Sequence, residues 1–328
     1  MALPLEQPGA RVSLNGVPVG GVVELDVQAP GAFLAARFQV VFAMGPPPAL
    51  GVSDFAALGA APVTIEMSTD GVGYFEVLSG QVENVRIDLA ANIVTLAGRD
   101  QTALLIDAEI AESFVNQTAS EVAQTIALRH GLVPEVTPTF QPVGQYYQID
   151  HARTSLHVGS RATTEWNLLC RLAEAEGFGV SVFGGALNFG PLGLAGETLV
   201  TPRSFVKLEV DLVTALPASV VVRSWNCRSK QVVEQSTGAG NVTNLVRPNM
   251  TASQAGNYAG SYLAMVRQHG KVLLGKMPGD TSLAVGGLLL LAGTNSGLDD
   301  GYMVTSLVRR LNGREGFVQM VKAYAVAA

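Results

Sequence analysis

Apolar and polar residues alternate along most of the first hundred positions, which is the pattern of β-strands with one buried face. The segments VSL and VPV flank Asn15-Gly16, and PVTIEMS and GYFEVLS flank Asp70-Gly71, both strong signals for hairpin turns. QVENVRIDL and NIVTLAG continue the run as further strands. About six antiparallel strands are enough to form a small barrel or a sandwich. We therefore predict a first β domain over residues 1–99.

After Gly98 the apolar spacing changes from two residues to three and four, which indicates helices. Asp100 is placed to cap a short helix, and Thr118 with Glu121 forms a capping box at the start of a helix near 118–130.

A second helix is predicted near 163–176, capped by Thr163 or Thr164 and followed by Gly177. GVSVF and ALNF then flank two glycines, which predicts a hairpin over 179–189. We assign residues 100–200 to an α+β insertion.

The β pattern returns from Ser204 and continues to the end of the sequence. It is interrupted near 251–269, where Thr251 and Gln254 form a capping box and apolar residues recur at helical spacing. Residues 201–328 are therefore predicted to form a second β domain with one inserted helix. The fold class that follows is α+β and mainly β.

Charged residues are sparse, at 15% of the chain against 48% hydrophobic residues, and the net charge is −6. A chain of this composition is expected to cover part of its surface by assembly with other subunits. The acidic balance argues against nucleic-acid binding, which needs clustered Lys and Arg. The most apolar window, Leu283 to Ala292, is shorter than the roughly 20 residues of a membrane span, so no membrane insertion is expected. Without a visible secretory signal, we expect synthesis in a cytosol.

The residues that could carry metal or redox chemistry are better explained by structure. Cys170 and Cys227 make neither a disulfide framework nor a metal site. His151 and His157, with Asp150 adjacent, do not have the spacing of a known metal motif, so structural hydrogen bonds are the favoured interpretation. No cofactor and no metal are therefore predicted. His130 and His269 also have structural interpretations, since each precedes a glycine at a predicted helix end, where a cation meets the negative end of the helix dipole.

Carboxylates raise the question of glycoside hydrolysis, which uses a pair of Asp or Glu side chains. Glu165 with Glu109 or Glu112 is such a candidate pair, although nothing in the sequence places them together. Glu174 and Glu176 point about 200° apart around a helix and do not form a pair. We therefore assign no catalytic residue and predict that the chain is not an enzyme.

Aromatic residues offer a possible binding face. An alternating strand directs Tyr146 and Tyr147 to opposite faces, so one is expected to be buried and the other available to a partner. Trp166 falls on the apolar stripe of its predicted helix and is expected in the core.

The segments YYQIDHAR, TTEWNLL and EGFGV, followed by a short hairpin, lie within Gln145 to Pro191. This succession resembles the central region of the phage late control protein D family, the baseplate hub proteins of contractile phage tails, which are similar to the hub part of type VI secretion spikes. The recognisable sequence similarity covers roughly Gly98 to Pro191, and the β-rich flanks fit the family more loosely.

The resemblance implies two antiparallel β-barrel domains like those of tail tubes, with the α+β insertion between them. It also implies a homotrimeric ring that adapts a hexameric tail tube to a trimeric spike. The implied partners are the tail tube or distal tube protein, the central spike, the tape-measure protein and baseplate wedge proteins. The implied location is the tail baseplate of a virion assembled in the host cytoplasm. The alternatives are a β module that binds carbohydrate or the host surface, and a peptidoglycan hydrolase.

Overall fold

A computed structural model describes residues 7–31, 33–46, 49–112, 114, 116–143, 163–191, 196–227 and 229–326. The described chain is mainly β with five helices, in agreement with the predicted class. The helices are α1 Val52–Ala56, α2 Thr102–Ile106, α3 Ala119–Arg129, α4 Glu165–Glu176 and α5 Ala252–Gln268.

The strands fall into three stretches of the chain. The first stretch contains β1 Gly9–Leu14, β2 Val17–Val19, β3 Val22–Ala29, β4 Arg37–Ala43, β5 Pro62–Ser68, β6 Phe75–Asp88 and β7 Ile93–Asp100. The middle contains β8 Glu109–Ile110, β9 Val133–Val136, β10 Thr163–Thr164, β11 Gly179–Phe183, β12 Ala186–Gly190 and β13 Glu197–Val200. The last contains β14 Lys207–Leu212, β15 Ser219–Asn226, β16 Gln231–Gly238, β17 Val242–Val246, β18 Lys271–Pro278, β19 Leu288–Leu291, β20 Asp300–Asn312 and β21 Gly316–Ala325.

One large sheet joins the first and last stretches of the chain. Its strand order is β14-β18-β21-β20-β3-β4-β7-β6-β5-β1-β2, with β19 and β13 attached to β20 as a side branch. The junction is an antiparallel pairing of β20 with β3, from Leu307 opposite Ala29 to Asn312 opposite Glu24. Among the described strands the order is an open path and does not close into a barrel. The mainly β prediction is confirmed, and the two-barrel architecture is not.

Strand β6 differs from the sequence expectation. GYFEVLS and QVENVRIDL were expected as separate strands, but Phe75–Asp88 is one strand of 14 residues. Its early part pairs with β5 and its later part with β7, and the β7 register shifts between Val82 and Asn84. A bulge of this kind bends a strand and increases its twist. The bend allows one strand to belong to two differently oriented parts of the sheet.

Two hydrophobic cores lie against the large sheet. The first includes Phe42, Ile65 and Leu96, and the second includes Leu273, Leu289 and Tyr302. Both arise from strict alternation, because successive side chains of a strand point to opposite faces. In β7, for example, half-buried and buried residues alternate over its whole length.

The middle of the chain forms a separate layer of helices on a small sheet of order β11-β12-β9. α3 begins with the capping box of Thr118 and Glu121, and α4 begins at Thr164, whose hydroxyl accepts a hydrogen bond from Asn167 N at 3.2 Å. Trp166 is in the core of this unit, as expected, and its Nε1 donates to the Phe33 carbonyl at 3.0 Å. That bond ties the insertion to the first β stretch.

A third small unit consists of the sheet β16-β15-β17 with α5 packed on one of its faces. α5 also packs against α4. The contact is close at Gly177, which has a φ of 72° and whose added Cβ would lie 2.7 Å from Ser261 Oγ. The glycine therefore both ends α4 and permits the approach of the neighbouring helix.

Candidate functional site

Several of the residues singled out in the sequence lie in parts of the chain that the structure does not describe. Asp150, His151 and His157, together with Tyr146 and Tyr147, lie outside the described residues. Among the described residues, no group of three or more His, Cys, Asp or Glu side chains is arranged to hold a metal ion. No helix in the described part of the chain is long and apolar enough to span a membrane.

Glu165 and Glu112 lie near each other because both carboxylates contact the guanidinium of Arg129. Glu165 is 2% exposed, and its carboxylate contacts both Arg129 Nη1 and His130 Nε2. The Nη2 atom of the same guanidinium lies 2.6 Å from Glu112 Oε2. Glu112 and then Glu165 raise the pKa of Arg129, because both accept hydrogen bonds from it. Glu109 is elsewhere, on β8 opposite Thr164.

The cluster joins two helix ends of opposite polarity. Arg129 occupies the last turn of α3 and His130 is its C-cap, whereas Glu165 is in the first turn of α4. Cations near a helix C-terminus and anions near an N-terminus are each favoured by the helix dipole. The cluster links the end of α3 to the start of α4 and engages both carboxylates of the candidate pair with one arginine.

The contacts of the remaining described candidates are those of residues that stabilise the fold. His269 is the C-cap of α5, and its ring lies 4.4 Å from that of Tyr324. Burial, followed by the charge of Glu174, raises the pKa of the Cys170 thiol to about 12, so the thiol is inert at neutral pH. Gly184 and Gly185 both have positive φ in the turn between β11 and β12.

The long sheet offers a broad polar face that sequence reasoning did not identify. Eight consecutive strands, β14-β18-β21-β20-β3-β4-β7-β6, are antiparallel throughout. Successive side chains point alternately to a buried face of this sheet and to an open face. The open face carries ion pairs, including Arg310 Nε on β20 with Asp26 Oδ2 on β3 at 2.5 Å. Lys276 Nζ on β18 lies 2.7 Å from Oε1 of Glu315, which is in the turn between β20 and β21. We call it the open face.

Among the described residues, this eight-stranded stretch has a free strand edge at each end, along β14 and along the later part of β6. Among the described strands, β14 pairs with β18 only. At the other end, the pairing of β6 with β5 stops at Pro62 opposite Gln81, and Val82 N still donates to the Ala61 carbonyl at 2.8 Å. Beyond Val82, β7 is the only strand paired with β6 among the described residues. A strand edge with free N–H and C=O groups is a template for pairing with another chain. We call these the β14 edge and the β6 edge.

The buried side of the sheet also contains an unusual polar pair. Arg309 and Gln319 lie opposite each other on β20 and β21, and both are buried. Arg309 Nη2 donates to the Leu283 carbonyl, but Arg309 Nε and both polar atoms of the Gln319 amide have no hydrogen-bond partner among the described residues. Burial lowers the pKa of Arg309 to about 10. Their positions in an alternating pattern were visible in the sequence, but their burial was not.

Comparison with known proteins gives similarity in structure only. No known family profile matches the chain, and no curated protein matches it in sequence. A tail protein from Neisseria meningitidis is similar over 97% of this chain and 96% of its own, with a TM-score of 0.71 and 13% identity. The 43 kDa tail protein of prophage MuSo2 from Shewanella oneidensis is similar over 96% of this chain and 98% of its own, with a TM-score of 0.70 and 14% identity.

A third similar structure comes from a secretion system. It is an E. coli protein described as a component of the type VI secretion system with structural similarity to the T4 tail proteins gp27 and gp5. It matches 96% of this chain and 77% of its own length, with a TM-score of 0.61 and 11% identity. The chain therefore has the fold of phage tail proteins and of related secretion-system proteins, which confirms, for the fold, the resemblance seen in the sequence.

Proposed function

We propose that the chain is a structural hub protein of a phage-like tail, and that three copies form a ring between a hexameric tail tube and a trimeric spike. The observation that carries the proposal is the eight-stranded stretch of the long sheet, in which β14 at one end and the later part of β6 at the other have no further strand beside them among the described residues. A unit with two different free edges can associate head to tail, and such contacts close into a ring when the rotation allows it.

The internal junction of the sheet supports a trimeric ring with approximate sixfold symmetry. The first and last stretches of the chain each contribute four strands to the eight and meet at the pairing of β3 with β20. Two comparable β units per copy, which we propose correspond to the two barrel-like domains 1–99 and 201–328, would present six units in a trimer. The insertion 100–200 would then lie outside this ring-forming part.

The partners in this proposal are the tail tube or distal tube protein on one side and the central spike on the other, with the tape-measure and wedge proteins nearby. The proposed location is the tail of a virion or of a related particle. The role is structural, and the chain's charged clusters, such as Glu165 with Arg129, stabilise its fold.

The test is the assembly state of the purified protein. Mass photometry across nanomolar to micromolar concentration should show a trimer, and electron microscopy should show a ring with a central channel. A monomer that persists at tens of micromolar, or a dimer with twofold symmetry, would contradict the proposal.

A second candidate function, binding of carbohydrate or a host surface, is favoured by one observation. Trp225 is 53% exposed on the face of the small sheet that α5 does not cover. Exposed aromatic rings stack on apolar faces of ligands while their polar atom stays hydrated. Glycan-array binding that is lost in Trp225→Ala would support this function, and the absence of any bound glycan would remove it.

A further inference from the structure

We infer that the β6 edge of one copy pairs with the β14 edge of the next copy, in one register that the sequence specifies. The inference rests on the proposed ring and identifies the strands that close it. The two edges are the later part of β6, ending at Asp88, and strand β14, Lys207–Leu212.

Strand direction is compatible with this pairing. All seven neighbouring pairs within the eight strands are antiparallel, so β14 and β6 run in opposite directions. Placing the β14 edge of a second copy beside the β6 edge therefore continues the antiparallel alternation. Pairing of two β6 edges or two β14 edges would need a twofold contact and would not make a ring.

The exposure of side chains at the two edges shows that the described residues cover neither edge completely. In the inner strands the core-facing side chains are fully buried, as Leu96 and Leu273 are. The corresponding residues at the edges are only half-buried, namely Val85 and Ile87 on β6 and Leu208 and Val210 on β14. An added strand would cover these four side chains on the same face of the sheet.

The β6 edge also has space for an incoming strand. A groove of about 630 Å³ lies between β6 and α1, lined by Phe55 and Ala56 on one side and by Val85 and Ile87 on the other. The β14 edge has exposed apolar residues at its ends, with Val206 at 71% and Leu212 at 57% exposure. Addition of a strand to an exposed edge combines main-chain hydrogen bonds with pockets for alternate side chains.

Charge fixes the register. Pairing Arg86 with Glu209 gives the following opposite positions: Asp88 with Lys207, Ile87 with Leu208, Val85 with Val210 and Asn84 with Asp211. Core-facing residues then meet core-facing residues, and two pairs of opposite charge form on the open face. Opposite charges on facing positions stabilise a strand pair, and like charges destabilise it.

The neighbouring registers bring unfavourable pairs of side chains opposite each other. A shift by one residue places charged side chains opposite core-facing ones, which reverses the faces. A shift by two residues in one direction places Arg86 opposite Lys207, and in the other direction it places Asp88 opposite Glu209. Both shifts by two therefore create a like-charge pair. The second shift also places Arg86 opposite Asp211, so it has one favourable and one unfavourable charge pair, whereas the inferred register has two favourable pairs.

Cysteine cross-linking tests the register directly. In a background with Cys170→Ser and Cys227→Ser, the variant Val85→Cys with Val210→Cys should form a covalent trimer on a non-reducing gel. The matched control is Val85→Cys with Leu212→Cys, in which the second cysteine lies two residues further along β14 and is too distant for a disulfide. Equal cross-linking of both variants, or none in a protein that mass photometry shows to be trimeric, would overturn the register.

Charge reversal is the second test. Arg86→Glu should raise the concentration for half-assembly on the order of tenfold or more, because like charges then face each other at every junction. Combining it with Glu209→Arg should restore assembly, since the pair is then reversed. A trimer unaffected by Arg86→Glu would overturn this inference while leaving the ring proposal in place. A protein that is monomeric before any substitution would instead contradict the ring proposal itself.

Discussion

The cluster around Glu165 yields a stability prediction with a magnitude. Glu165 is 2% exposed and is paired with Arg129 and His130, whereas the Arg129 side chain is 38% exposed. Removing one partner of a buried ion pair costs roughly 3–5 kcal/mol, because a charge is left buried without compensation. Water reaches Arg129 and screens part of this interaction, so the lower part of that range applies.

We therefore expect Arg129→Met to destabilise the insertion by about 3 kcal/mol, because it leaves a buried carboxylate with only His130. Glu165→Gln should cost about 2 kcal/mol, since Arg129 loses a charged acceptor but remains partly solvated. The double variant should cost less than the sum of the two, with a coupling of about 1–2 kcal/mol.

Hydrogen exchange of the α3 and α4 amides measures this locally and avoids the assumption that the whole chain unfolds in one step. Glu112→Gln is the matched control, because Glu112 contacts the same guanidinium but is 47% exposed, and it should change stability by no more than about 0.5 kcal/mol. If Arg129→Met cost no more than Glu112→Gln, or if the coupling were zero, the cluster would not hold the two helix ends together.

Three further predictions concern other buried or half-buried groups. Burial raises the pKa of Asp100 from 3.8 to about 6, so folding favours its protonated form and this contribution is lost as pH rises through 6. The stability difference between wild type and Asp100→Ala should therefore shift by about 2 kcal/mol between pH 4 and pH 7, and a difference independent of pH would refute this. Gln319→Met should raise the free energy of unfolding by about 1 kcal/mol in chemical denaturation, because it removes a buried amide without a partner, and a loss of stability would contradict it. Cys170 should resist iodoacetamide in the folded protein at pH 8 and react after unfolding, as peptide mass spectrometry would show; rapid labelling of the native protein would refute this.

Local signals along the chain determined much of the secondary structure. Turns such as Asn15-Gly16 have the positive φ angles that their residues favour, and the capping boxes at Thr118 and Thr251 are present at the starts of α3 and α5. These features depend on residues close together in sequence, so they can be read without the fold. The mainly β class follows from the same local periodicity.

Tertiary structure decided which elements meet. The pairing of β3 with β20 joins residues nearly three hundred positions apart, and the bend of β6 leaves its later edge free. Alternation shows that a strand has two faces but does not identify its neighbours, so neither the continuous sheet nor its unpaired edges were predictable. Glu165 and Arg129 show the same limit: each had a plausible local role, and only the packing of α3 against α4 made them partners. The sequence determined the elements, and the long-range pairing of strands and helix ends determined the surface from which a function is proposed.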